Sequence, residues 1–458
     1  MKFSGIFFVL CIAGLAFIYG AATIQFRIFP YSIFQEAKTG FNAMMALEDD
    51  THSMTIASFD DSAPERPTVT FHAENAGTEP MLITGGFYQN MAECPQFGCL
   101  TWITDRSGKI LHKWEVDPAV LLEGISGFNE TPTAMNVYPV GLALQSDGSL
   151  TVSFLGRNLF PYTIGLARFS ARGELIWKRI EHSHHWFDVE ADGSVYAPAL
   201  EFPEMTDYHL ATTQIVKRCD SGKINNGGVR IYNPDGTLRN EFRIIDAFAE
   251  SNWHGLFYAV RIPCDPVHIN SVQVVSDSIA AQLGGVESGD LLISIREIST
   301  VAIVDGETGA VKKLVAGRTA AQHGPQFLPD GTVAVFDNRA GSRDRGGSRI
   351  VRLNMENGDA GILFPRKDTG PAVPFFSKDG GHLHVSPDGK RIVVADKHQS
   401  RLFEFDVETG EELWVLRQCA DAVPYLEALN LKADADRACY LSFGAYYVED
   451  ISFIKQAN

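Results

Sequence analysis

Past residue 80 the chain alternates short, apolar, β-rich runs with turns containing Gly and Asp, and almost nowhere does it show the spacing of a long amphipathic helix. The stretch AAQHGPQFLPDGTVAVFDNRAG, residues 320–341, is representative: a strand, a Pro-Asp-Gly turn and a second strand. Two kinds of turn recur. The first precedes a strand that often ends in Trp or Lys, as in DRSGKILHKW from 105, ARFSARGELIWK from 167, RIYNPDGTLRNEF from 230, AIVDGETGAVKKL from 302, VRLNMENGDAGIL from 351 and LFEFDVETGEELWVL from 402. The second is a tight hairpin in QSDGSLTVSF, EADGSVYAPA, ESGDLLISI, LPDGTVAVFD and SPDGKRIVVAD, with a degenerate sixth expected in LKADADRACYLSF. The two kinds alternate, and successive turns of the first kind lie roughly 50 to 70 residues apart, which leaves room for four short strands. The expected fold is all-β: a six-bladed β-propeller over residues 81–458, whose sheets hide their edges by radial repetition. The segment from residue 80 is expected to complete the last blade.

The N-terminus reads differently. Residues 4–26 carry no charge and reach the roughly 20 apolar residues a membrane-spanning helix needs, so 1–27 is read as a signal anchor or transmembrane segment in preference to a cleaved signal peptide. Residues 28–80 read as a stalk with a short helix, an acidic patch and a Pro-bearing linker. Either N-terminal reading delivers the body out of the cytoplasm, and the preferred one makes it a single-pass, membrane-anchored protein with its propeller on the extracytoplasmic, periplasmic side. Six cysteines outside the apolar segment agree with an oxidising compartment, and sequence neighbours suggest the pairs Cys94–Cys99, Cys219–Cys264 and Cys419–Cys439.

Composition narrows the partners. Apolar residues make up 45% of the chain, enough for a packed core, and the formal charge of −17 argues against nucleic acid or an anionic membrane face. An anion would have to bind a local cluster of Arg and His. Such a cluster is expected, because in a propeller blade the innermost strand (A) and its neighbour (B) are antiparallel, so A starts and B ends share one rim. At A starts stand His184, His185, His268, His323, His382 and His384; at B ends stand Arg296, Asn338, Arg339, Lys397 and His398. Each histidine alone is more simply a hydrogen-bonded rim residue, and GSRDRGGSR alone is a solvated loop. Seven of the 13 histidines on one rim point further. Neutral imidazole is a nucleophile and proton carrier, and Arg and Asn donate to oxyanions. There is no GxxxxGK[ST] cradle, dinucleotide fingerprint or GxSxG elbow, so the rim suits transfer or hydrolysis of a small anionic ester with no cofactor; a metal on a His-rich rim stays open.

The stretches DPVHINSVQVV, GDLLISIREISTVAIVDGETGAVKKLVAG and AAQHGPQFLPDGTVAVFDN resemble the bacterial, nucleotide-independent arylsulfotransferase family, over roughly residues 180–415. The resemblance implies a periplasmic six-bladed propeller that moves a sulfuryl group from a phenolic sulfate ester to a phenol. It implies His268 and His323 as the histidines framing the sulfuryl group and its protons, Arg339 or Arg343 as the charge on its oxygens, and His398 as the nucleophile that is transiently sulfated, with His382 as fallback. Arg296, Asn270 and Asn338 are expected to face substrate. Trp186, Trp253 and Phe187 could sandwich a phenol ring, although core packing is the simpler job for each. The partners implied are an aryl sulfate and a phenol, with the membrane reached through the N-terminal helix; a homo-oligomer stays open. Two rival readings are a tethered propeller that binds without turnover and a metal-dependent propeller hydrolase or lyase, for which Glu297 and Asp337 are the available rim carboxylates.

Overall fold

A computed structural model describes residues 2–26, 28–30, 55–202, 224–260, 262, 264–339, 346–366, 375–428 and 435–457. The chain divides into two units, Met1–Met54 and Thr55–Asn458. The second holds six antiparallel sheets of at least four strands each. Numbered I to VI along the chain, their innermost A strands are Ala445–Tyr447, Val137–Leu144, Asp188–Val189, Ile269–Val274, His323–Phe327 and His382–Val385.

The A strands close a propeller-like ring, and the sequence explains how. An innermost strand has a free edge facing the channel, and its backbone N–H groups need acceptors. The penultimate side chain of four A strands supplies one to the last residue of the next. Asp188 accepts from Val274 N at 2.8 Å, Gln273 from Phe327 N at 2.9 Å, Gln326 from Val385 N at 3.0 Å, and His384 from Tyr447 N at 3.3 Å. The two remaining junctions use hydroxyls: Leu142 N donates to Tyr446 Oη, and Ser153 Oγ to the His185 carbonyl. Every junction of the ring is thereby bonded.

The outer edge has its own lock, built from the Trp noted in the first kind of turn. Indole N–H groups reach the C–D turn of the following sheet: Trp114 to Ser170 O, Trp177 to Pro234 O and Trp414 to Arg106 O, at 3.0–3.1 Å. All six turns of the first kind are C–D turns. In these turns an Asp or Asn, or Ser170 in sheet II, accepts from backbone N–H groups two or more residues on, as Asp105, Asp235, Asp305 and Asp406 do. Gly236 sits at φ +79° with Trp177 against it, where a Cβ would come within 2.8 Å of the indole.

Closure differs from expectation in three ways. The C-terminal strand Ala445–Tyr447 completes the first sheet by pairing with Met81–Thr84, so that sheet's A and B strands come from opposite ends of the chain and cannot share a hairpin. Five A–B hairpins are therefore all the ring can hold, and the expected sixth, LKADADRACYLSF, is not one. Its Arg437–Tyr440 strand joins Cys419–Asp421 and Ile56–Phe59 in a separate three-stranded sheet. Much of the expected stalk is also knitted into this body: Thr68–His72 adds a fifth strand to sheet VI by pairing with Glu412–Arg417.

Cys94–Cys99 and Cys419–Cys439 are disulfides, as expected. Cys264 is disulfide-bonded too, and Cys219, its expected partner, lies outside the described residues. Lys2–Phe26 is an α-helix exposing Phe7, Phe8, Leu15 and Phe17. Among the described residues no helix is long and apolar enough to cross a membrane, so the expected anchor finds no support in the fold.

Candidate functional site

Register puts A starts and B ends at one end of the ring, as expected: Ile269 pairs with Ile295, His323 with Phe336 and His382 with Ala395. His268 and Arg296, His323 and Asn338, and Lys397 and His398 therefore collect around that end of the channel.

Two of the histidines are held by one bracket. Asn338 donates its amide hydrogens to Ser377 O at 3.1 Å and Gly380 O at 2.6 Å, which fixes its Oδ1 as the acceptor facing His323 Nδ1 at 2.7 Å. His323 must then carry its proton on Nδ1, leaving the Nε2 lone pair free. Ser377 Oγ donates to Asp379 O and lies 3.0 Å from His398 Nδ1. Its single hydrogen spent, Ser377 accepts from His398, and His398 Nε2 is free as well. Burial, reinforced by the Arg296 charge, pushes the pKa of His323 down to about 3. Burial and the Lys397 ammonium push His398 down to about 4. Both rings are neutral at pH 7.

Asp379 stands beside His398, its Oδ1 3.7 Å from Nε2 and 2.6 Å from Lys397 Nζ. Burial alone would raise the Asp379 pKa, but Lys397 and then His398 overcome it and hold the carboxyl well below its usual range. A fixed anion thus sits where a ring that gains positive charge would need one.

His268 belongs to a second cluster. Its Nδ1 donates to Asp265 Oδ2 at 2.5 Å, its ring stacks on Tyr162 with centroids 5.9 Å apart, and its backbone takes φ +48°. His185 links the two clusters, with ring centroids 5.4 Å from His268 and 6.5 Å from His323. His184 and His185 share a proton between Nδ1 atoms 2.5 Å apart, and burial holds both well below the ordinary imidazole pKa.

Other expected residues take different places. Asn338 is spent on the bracket, so it positions His323 and has no hydrogen left for substrate. Asn270 donates to Gln322 O at 2.8 Å, which ties the HIN and QH elements together and makes it a positioning residue as well. Arg296 pairs with Glu297 at 2.7 Å. Arg339 sends its backbone N–H to Asp337, and its guanidinium turns toward Gly346. Arg343 lies outside the described residues. His382 starts its A strand at the same end as His323, but its ring stacks on Trp186 at 5.4 Å and lines a cavity that runs from there toward the far end of the channel, with Trp186 meeting His323 at 5.8 Å. Trp186 and Phe187 are buried in the core, and Trp253 packs against the cluster around Phe248 and Phe257. The sequence reading missed Asp265, Ser377, Asp379 and Tyr162. Only Asp265 had a signal, its place three residues before His268 in CDPVH; Ser377 and Asp379 serve His398, and Tyr162 serves His268, from farther along the chain.

Comparison with solved structures returns distant likenesses. A protein of unknown function from Bacteroides caccae is 12% identical, with 82% of this chain and all 100% of that one covered at a TM-score of 0.47. The nidogen/laminin complex gives 10% identity, 81% and 98% coverage, and 0.42. The Cps50 (Swd1) β-propeller domain of Myceliophteria thermophila gives 9% identity, 79% and 88% coverage, and 0.40. At such TM-scores these likenesses carry no weight of their own. None of the curated proteins matches the chain. Residues 243–418 match the family model described as arylsulfotransferase (ASST), a segment that spans every candidate from His268 to His398.

Proposed function

We propose that this protein is an arylsulfotransferase that carries a sulfuryl group from an aryl sulfate ester to a phenol through a sulfohistidine at His398, with no nucleotide donor. One observation carries the reading: Asn338 and Ser377 tie His323 and His398 into one hydrogen-bonded bracket, each ring neutral and each with Nε2 unoccupied.

In the first half-reaction the His398 Nε2 lone pair attacks sulfur, the N–S bond forms, and the S–O bond to the aryl group breaks with its electron pair leaving on the phenolate. The sulfated imidazole keeps its Nδ1–H on Ser377 and carries positive charge, which Asp379 balances. In the second, His323 Nε2 takes the proton of the acceptor phenol, the phenolate oxygen attacks sulfur, and the N–S pair returns to His398. The proton on His323 is then released to solvent, which balances the phenolate that left in the first half-reaction. Splitting one hard transfer into two easier ones predicts ping-pong kinetics. Arg296, whose charge His323 feels, is the cation placed to meet the sulfuryl oxygens. The family segment supports the aryl substrate class, and the disulfides together with the apolar N-terminal segment support a place outside the cytoplasm.

The test is purified protein with 4-nitrophenyl sulfate and phenol, with and without a chelator. Expected are nitrophenol release, parallel double-reciprocal lines, no effect of the chelator, and a sulfuryl adduct on the His398 peptide when phenol is omitted. His398→Ala should lower turnover by at least about 10³-fold. Absence of nitrophenol release, or a His398→Ala variant as active as the parent, would reject the proposal.

A further inference from the structure

We propose that the far mouth of the central channel is a second small-molecule site, selective for an organic ammonium compound with an apolar body. It opens at the end where the A–B hairpins lie and runs up the channel to Trp186 and His382, where Trp186 meets His323 with ring centroids 5.8 Å apart. The cavity there measures about 720 Å³, the size that holds a small organic ligand.

Three observations carry the assignment. The first is charge. The lining contains no Lys or Arg, whereas Asp188, Glu449 and Asp450 all contribute to it. Glu449 and Asp450 are exposed, and hydrogen bonds from the Ser452 backbone and hydroxyl keep the Asp450 carboxyl below its usual pKa. An anionic ester is repelled from this mouth and a cation is drawn to it. The second is unused polarity. Trp186, Ser271 and His382 line the cavity, each is less than 5% exposed, and each has a buried polar atom with no hydrogen-bond partner among the described residues: indole Nε1, Oγ and Nδ1. Buried polar groups are ordinarily satisfied, so unspent ones along a cavity mark where a ligand's groups would be met. Ser271 Oγ can accept a hydrogen bond, and so can the Nδ1 of a neutral His382 in its Nε2–H tautomer, which an ammonium or hydroxyl group requires. Burial keeps His382 neutral and lowers His384 to about 4, so neither ring cancels the negative charge of the mouth at pH 7. The third is the aromatic wall. Trp186, His382 and Tyr446 stack in sequence, at 5.4 and 4.7 Å, and offer an apolar surface to a ring or chain.

The experiment is isothermal titration of the full chain with phenethylammonium chloride, with 2-phenylethanol and sodium phenylacetate as its neutral and anionic counterparts. We expect one saturable site for the ammonium, about tenfold weaker binding of the alcohol and none of the carboxylate. Glu449→Gln combined with Asp450→Asn, both exposed and safe for the fold, should weaken ammonium binding about fivefold. His398→Ala should leave it unchanged, which separates this site from the sulfuryl one and keeps the result independent of whether the protein turns over any ester. No saturation, equal binding of all three probes as in a merely solvent-filled channel, or undiminished binding by the double variant would each overturn the assignment.

Discussion

The two ends of the central channel are made from the same six strands and do opposite things. At one end His323 and His398 are bracketed by Asn338 and Ser377, with Arg296 and Lys397 beside them. At the other, three carboxylates line a cavity without one basic side chain. Between the ends the strands obey one rule, with a penultimate side chain satisfying the next strand's backbone. The difference comes from the connections. Four of the five A–B connections are five-residue turns that leave the strand ends plain, whereas the segments entering A in sheets IV and VI, residues 244–268 and 365–381, are longer and deliver Asp265, Ser377 and Asp379 to their histidines. Chemistry sits where the repeat is loosest.

The comparison is broken most sharply at Asp265. If the histidine end works because each ring is held in one tautomer, then Asp265→Asn, nearly isosteric, lets an amide N–H face His268 Nδ1 and drives the proton to Nε2. Transfer should fall by about 10² to 10⁴, with the near-UV circular dichroism and folding unchanged. A carboxylate that merely holds the loop would give a variant with parent activity, and the role assigned to the acceptor–histidine pairs would fail with it.

A second test concerns what the two ends share. His323 and His398 at one end and His384 at the other have folded-state pKa values pushed by burial to about 3, 4 and 4, below the ordinary 6.5. The unfolded chain therefore binds more protons than the native one between those values and about 6.5, and stability rises with pH across that window. Above about 6.5 both states are neutral and these groups add nothing; as pH falls below it, stability is lost until the native rings protonate. For His323 alone this amounts to a few kcal/mol, on the order of the whole stability of many domains. The urea midpoint should drop steadily from pH 7 to pH 4.5, and His323→Gln should make the slope shallower. A midpoint indifferent to pH over that range would mean the imidazoles are not held neutral at either end.

Much of this was legible in the sequence for physical reasons, and the rest was not for equally physical ones. The alternating turns announced six repeats, since each Asp or Asn had to cap its own turn and each D-strand Trp had to find the next turn's carbonyl. The antiparallel A–B pair made it a matter of geometry that His268, His323 and His398 would share one end of the channel. The identity of the closing strand was hidden, because Ala445–Tyr447 is three residues long and its partner is Met81–Thr84, at the other end of the chain. The role of Asn338 was misjudged, because whether an amide faces substrate or holds a neighbour depends on two carbonyls, Ser377 and Gly380, about 40 residues away. Sequence puts reactive groups on a rim; only the fold says which of them are already spent.

The smallest expected effect tests whether the ends are independent. The A strand Ile269–Val274 separates them, and six residues at about 3.3 Å each span roughly 20 Å, beyond the ~8 Å Debye length at physiological ionic strength. Glu449→Gln with Asp450→Asn should therefore change the KM for 4-nitrophenyl sulfate by less than about twofold. Neutralising Lys397, by contrast, removes a charge that both His398 and Asp379 feel directly, and Lys397→Met should raise that KM severalfold. Salt supplies the control, because screening should weaken substrate binding in the parent and in the mouth variant by the same factor. If the mouth variant instead binds the sulfate ester several times more tightly than the parent, the acidic lip is felt through the channel. The two ends would then form one electrostatic site, with the mouth repelling the anion that the histidine end is built to hold.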